Sequence, residues 1–436
     1  MKPMNAFCIV VAFALILGCT PPQRGANAST QAATAIHSPE AVTSAAPDNT
    51  PTLSKPEFVI QPYCPEVTQD VHMLPNLTGT LVLTGDQILI NGDLFSHEPD
   101  QESLLVLWKP KTEEKTTYQL PGSQEYYYYV TSPDKEKLAF TQGKTLSISY
   151  DVIVLNDDGE ESGKFTLPDD WNLFDWLNNG MLLVRQNRLQ KDKKELVAVN
   201  PVNGEQQVLS ANFPNLYSRE TLGVWGALTI FDPTASFVLY LRREGDEVTS
   251  ILWDAHNNKE IANITGLSKE PRWSADGKRL LIVKDYRSTP DDVDHDEIVI
   301  IKPEGDVTRA TSFKANFEHS IINFPVWSPD ARYVAFWLSS KAPIKTGKLA
   351  VLDTETSTVD LYCNELNPFP FRFGDYNTLG YAYDQVNSAP PIWSPDSKYL
   401  LIEDYQESQS STYLFDLQNH SITKIADNAR PVSWIK

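Results

Sequence analysis

The chain is poor in the residues that most often carry chemistry. It has 4 cysteines and 7 histidines among 436 residues. No two histidines stand at metal-ligand spacing, and neither C-x-x-C nor H-E-x-x-H occurs. The G-x-S-x-G nucleophile elbow and the G-x-G-x-x-G dinucleotide loop are both missing. Gly143-Lys144-Thr145 ends like a phosphate loop, but Leu138 stands where the first glycine belongs. These absences point to a non-catalytic protein. Positive charge is short as well, with 37 basic against 57 acidic side chains and a net charge of −20. So acidic a chain lacks the cations that replace nucleic-acid counterions, and it does not dock on anionic lipid by charge.

Long apolar runs are scarce. One run, residues 6–17, follows Lys2. It is too short to span a bilayer as a helix and suits the core of an export signal. It ends at Ile16-Leu17-Gly18-Cys19-Thr20, which resembles a bacterial lipobox, although Ile16 and Leu17 stand where Leu and a small residue are usual. Cleavage after Ala26-Asn27-Ala28 is the alternative. On the lipobox reading, residues 1–18 are a signal peptide and Cys19 carries lipid. Residues 19–56 are then a disordered tether. Of the 37 residues 20–56, 24 are Ala, Pro, Thr or Ser, too little apolar surface to offset the entropy of ordering. Residues 57–77 form an N-terminal extension. The expected location is an exported protein, lipid-anchored to the cell membrane or outer membrane and facing the periplasm or exterior. Thr20, rather than Asp, permits outer-membrane sorting. Cys64 and Cys363 remain as an even pair in an oxidising compartment, either a disulfide or two buried thiols.

What the sequence does have is aromatics, prolines and a repeat. Phe, Trp and Tyr make up 11% and there are 30 prolines. RWSADGKRLLIV from Arg272, VWSPDARYVAFW from Val326 and IWSPDSKYLLIE from Ile392 are copies of one unit. VTSPDKEKLAF from Val130 is a weaker copy. FDWLNNGMLLV from Phe174 and IFDPTASFVLYL from Ile230 are degenerate ones, and PVSWIK ends the chain. Each unit reads as an apolar strand, a Ser-Pro-Asp turn with Pro presetting φ, and an apolar second strand. Polar turns then lead to a third and a fourth strand. Four antiparallel strands at a period of about fifty residues make a propeller blade.

This W-S-P-D pattern resembles the WD40-like repeat of TolB-type β-propellers over residues 78–436. The resemblance implies an all-β propeller and protein–protein contacts in the envelope, and transfers no particular partner. Counting gives seven blades, six being the alternative. The first has three strands upstream, and Arg430-Pro431-Val432-Ser433-Trp434-Ile435-Lys436 supplies its innermost strand and closes the ring.

The loops between second and third strands and between blades hold nearly every insertion: 91–103, 185–194, 284–297, 339–347 and 364–391. That face is the expected binding face. In residues 284–297 the candidates are Asp285, Tyr286 and Arg287, with Asp292, Asp294 and Asp296 as a weak Ca²⁺ set that fails the EF-hand pattern at Glu297 and Pro303. No cofactor is otherwise expected. Residues 369–383 read as an extra hairpin carrying Phe369, Phe371, Phe373, Tyr376, Tyr381 and Tyr383. These rings form either a platform for a peptide or glycan, or an additional core on the flank of the last blade. Tyr126-Tyr127-Tyr128-Tyr129 reads as innermost-strand core. His97 and His295 fall on the insertion face. Acid pairs such as Glu403 and Asp404 are too common in so acidic a chain to single out.

The leading expectation is thus a non-catalytic, membrane-tethered, monomeric propeller of the bacterial cell envelope acting as a protein-interaction scaffold. The alternatives are a glycan- or peptide-binding surface receptor and a propeller lyase or lactonase with a channel-mouth metal site.

Overall fold

Short apolar runs, each stopped by a turn rich in Pro, Asp, Asn or Gly, leave the chain no local option but antiparallel pairing. The computed structural model describes residues 57–436 except 70–73, 75–76, 97–102, 121–128, 144–149, 168–170, 187–195, 210–229, 245–246, 268–270, 287–294, 341–346, 368–389 and 407–408. Six contiguous stretches each fold into a blade whose four strands pair in chain order. Blade I covers 129–166, blade II 171–208, blade III 230–264, blade IV 272–309, blade V 321–366 and blade VI 392–427. One further sheet is composite. Arg430–Ile435 pairs antiparallel with Thr80–Gly85, which pairs with Ser103–Lys109 and then Glu114–Leu120.

The expectation of seven four-stranded antiparallel blades is corrected by this topology. The chain builds six contiguous blades, not seven, and the remaining sheet is assembled from both ends. Two of the six are not four-stranded. Val59–Tyr63 lies parallel along the outer strand of blade V, with Val59 opposite Thr358 and Tyr63 opposite Tyr362. Val67–Thr68 lies parallel along the outer strand of blade VI, which also takes on the hairpin Gln87–Ile90 and Asp93–Ser96 through Leu89 opposite Asp427. The repeat pattern was silent on these additions because an added strand needs only a free outer edge and no copy of the motif.

Hydrophobic clusters fill the gaps between neighbouring sheets all round. Leu281 and Val283 of blade IV meet Val334 and Phe336 of blade V, and Trp337 of blade V meets Leu400 and Phe415 of blade VI. Leu401 and Leu414 of blade VI meet Leu81 and Trp108 of the composite sheet, whose Leu105 and Leu107 meet Phe140 and Ile153 of blade I. Blades I to IV are joined in the same way. Each such side chain, fully buried, contributes about 1.5–3 kcal/mol.

The repeated residues hold this frame. Ser132, Ser274, Ser328 and Ser394 each donate from Oγ to the Asp two residues on, at 2.6 Å for Ser132 and Ser274. The same Oγ accepts the N–H five residues on, at 2.8 Å from Tyr333. In blade III, Asp232 does both jobs, accepting from Phe237 and Thr234. The fourth turn residue is left-handed at Lys135, Ala235, Gly277, Ala331 and Ser397, with φ between 55° and 68°. The indole N–H groups of Trp176, Trp327 and Trp393 reach back to Val130, Arg272 and Val326 carbonyls on the innermost strand of the preceding blade, at 3.0, 3.1 and 3.3 Å. The motif is architecture, so the repeat itself carries no chemistry.

Candidate functional site

The face that bears the insertions has two built corners among the described residues. The first lies at the junction of blades IV and V. Buried strand residues there run directly into charged ones: Ile298 to Ile301 are preceded by Asp296 and Glu297, both buried. A buried carboxylate persists only with partners. Glu297 accepts from Arg309 Nη2 and Thr311 Oγ1, both at 2.6 Å, and from the N–H groups of Phe313 and Lys314 at 3.0 and 3.1 Å. The Asp296 carboxylate accepts the N–H of Ile322 at 3.0 Å, and its own N–H donates to Ser320 O at 2.7 Å. These bonds pin the link between blade IV and blade V. Asp285 donates its N–H to Gly266 O, and Tyr286 donates its N–H to His295 O. The Tyr286 ring packs beneath the Arg309 guanidinium at 4.5 Å from its centroid.

The second corner is at the insertion-face end of blade VI. The strand Tyr399–Gln406 ends its buried run with Glu403 and Asp404. Burial pushes both carboxyls above their ordinary range; Arg430 and Ser410 oppose this at Glu403, and the Asn367 N–H and Gln406 oppose it at Asp404. Ser410 Oγ donates to Glu403, and Arg430 Nε stands 3.8 Å from it. Asp404 accepts from Asn367 N–H and from Gln406 Nε2, both at 2.8 Å. Asn367 in turn receives the Tyr405 N–H at 2.6 Å and donates from Nδ2 to Tyr405 O at 2.9 Å. Asn367 is the last described residue before 368–389. Asp404 and Tyr405 therefore clamp the root of the longest insertion to a rigid strand.

The candidates named from sequence fall unevenly. Cys19, Arg287, Asp292, Asp294, Phe369, Phe371, Phe373, Tyr376, Tyr381 and Tyr383, with the hairpin and platform readings that depend on them, lie outside the described residues, as do His97 and Tyr126-Tyr127-Tyr128. Asp285, Tyr286 and Asp296 do come together at the first corner, but the Asp296 carboxylate is engaged by the Ile322 N–H. Among the described residues no group of three or more His, Cys, Asp or Glu is placed to hold a metal ion. Cys64 and Cys363 are disulfide-bonded, 299 residues apart in sequence, with Cα atoms 5.1 Å apart. Beside the disulfide, the Tyr63 ring stacks on His420 at 3.5 Å, and the Tyr362 hydroxyl is 3.3 Å from His420 Nδ1.

Glu297, Glu403, Asp404, Asn367 and Arg430 were missed by sequence reasoning. A signal existed: in YLLIEDYQ two acids extend a strand that is otherwise core, and only partnered acids survive there. Their partners come from 7 to 37 residues away, which no local pattern displays.

The sheet topology defines the class: a β-propeller closed by a strand from the opposite end of the chain. No protein-family model matches the chain, and no curated protein does. Solved structures similar to it include TolB from Acinetobacter baumannii, at 12% identity and TM-score 0.41 over 78% of this chain and 81% of that one. The Myceliophteria thermophila Cps50 (Swd1) β-propeller domain is similar at 13% identity and TM-score 0.41, over 86% of this chain and 98% of that one. The Pseudomonas aeruginosa periplasmic gluconolactonase is similar at 12% identity and TM-score 0.46, over 82% and 99%. At such identities the likeness concerns the fold.

Proposed function

We propose that the chain is an exported, lipid-anchored propeller of a bacterial envelope that acts as a protein-interaction scaffold rather than as an enzyme. The observation that carries this reading is the N-terminal strap. Residues 59–68 are laid along the outer edges of blades V and VI and fastened there by the Cys64–Cys363 disulfide. A disulfide suits an oxidising compartment. An anchor entering through the rim leaves both end faces of the ring free for partners. Gly18-Cys19 at the end of the only long apolar run supports the lipid anchor. On the insertion face, the described buried acids Asp296, Glu297, Glu403 and Asp404 are bonded to neighbours that fix loops, as a binding scaffold requires.

The test has two arms. Cys19→Ser should move the protein from the membrane fraction to the soluble exported fraction; unchanged partition would refute the anchor. The full-length chain and a variant lacking residues 369–383 are then used as paired baits on solubilised envelope, read by mass spectrometry. An envelope protein captured by the first and lost with the second supports the scaffold reading. Identical captures by both baits would refute a partner on this face.

A further inference from the structure

Residues that depart from a structural repeat, at positions where the other copies agree, are free to carry something other than structure. On the innermost strands, the residue just before the repeat's Trp position is Val130, Asp175, Ile230, Arg272, Val326, Ile392 and Ser433 around the ring. Five are uncharged. Asp175 in blade II and Arg272 in blade IV carry opposite charges. Blade III separates their blades, so they share a field across the axis of the ring. Lys135, from the first turn of blade I, joins them: Arg272 and Lys135 both favour the Asp175 carboxylate, and Asp175 favours the Lys135 ammonium.

The geometry places this trio at the turn-side end of the central channel, opposite the insertion face. There, Asn178 of blade II donates its N–H to Pro233 O of blade III at 2.8 Å and its Nδ2 to Ala275 O of blade IV at 3.2 Å. Lys436 donates its N–H to Lys135 O at 2.5 Å, bringing the closing strand to the same rim. Asp175 is exposed to water although it sits on an innermost strand, while Lys135 is half-buried. Burial is nevertheless the leading influence on both, raising the carboxyl and holding the ammonium down to about 8. Water-exposed yet enclosed is the condition of a side chain lining a channel. Among the described residues, Asp175 accepts the Trp176 N–H at 2.7 Å and makes no ion pair with Lys135. The charges are thus close enough to interact and too far apart to touch. Enclosed charges that do not touch gain little from each other against their loss of hydration, so a bound group between them would stabilise all three. Two cations to one anion make this spot positive on a chain whose net charge is −20.

We propose that the turn-side end of the channel binds a small oxyanion, with Lys135 and Arg272 as its cationic arms and Asp175 as the resident counter-ion that the ligand displaces. Phosphate and a small carboxylate share this chemistry. The full-length chain in detergent is titrated calorimetrically with inorganic phosphate and, separately, with succinate; the tighter binder identifies the source. Lys135→Met and Arg272→Met should each weaken binding about tenfold or more, the loss of one charge-assisted contact, and Asp175→Asn should strengthen it. In the unmutated protein, the favoured anion should slow acetylation of Lys135, read by mass spectrometry, a result independent of whether any variant folds. The proposal is overturned if neither anion binds up to about 10 mM. It is equally overturned if binding ignores both cation substitutions, or if Lys135 labels equally fast with and without anion.

Discussion

Two tryptophans show how much one atom decides. Trp327 donates its indole N–H to Arg272 O, while the buried indole N–H of Trp273 has no partner among the described residues. Trp327→Phe therefore loses a bond and leaves a buried carbonyl short of a donor, whereas Trp273→Phe removes an unmet donor. Trp327→Phe should destabilise by about 1–2 kcal/mol more than Trp273→Phe, measured by urea midpoints. Lys135 supplies a pH dependence. Its folded-state value is depressed to about 8 from 10.5, so the protonated amine disfavours the fold below about 8. The unfolded chain holds the proton more tightly between those values, and stability from this group rises with pH across that window. Without added anion, Lys135→Met should be more stable than the parent at pH 7, and its advantage should shrink toward pH 10. An advantage that did not shrink would rule this account out.

The strap is the element with the most to test. It covers the outer edges of two blades, which would otherwise present unpaired backbone groups. Cys64 is exposed and Cys363 half-buried, so the bond is open to reductant. Cys363→Ser should lower stability by about 2–5 kcal/mol, the usual cost of removing a native disulfide. Limited proteolysis should then cut first near residues 64–79 and leave blade I intact. Cleavage spread evenly over the ring would mean the strap is not the weakest element. Tyr63 stacked on His420 and Asn364 Nδ2 donating to Pro65 O at 3.3 Å are what remain to hold it.

At the scale of the whole molecule, closure is the decisive contact. Trp434 and Ile435 are buried at 1% and 0% exposure in the clusters on either side of the composite sheet. Losing two such side chains costs about 3–5 kcal/mol each, before any loss of pairing with Thr80–Gly85. That rivals the total stability of a domain, about 5–15 kcal/mol. Deleting residues 430–436 should abolish cooperative thermal unfolding by circular dichroism. A sharp transition in the truncated chain would show the six contiguous blades to be self-sufficient.

The sequence by itself determined the blade, because everything a blade needs is local. Apolar runs, a Ser-Pro-Asp turn and a tryptophan recur within about fifty residues, and such short-range signals survive in one dimension. It also determined closure, since the last strand is half a copy of the repeat. The added strands on blades V and VI, the clamp of Asp404 on Asn367, and the meeting of Lys135, Asp175 and Arg272 were decided by tertiary structure alone. Each joins residues that differ only in being brought together by the ring. Asp175 was in view inside FDWLNNG and Arg272 inside RWSADG, but a charge beside a repeat's tryptophan has no meaning until the axis it faces exists.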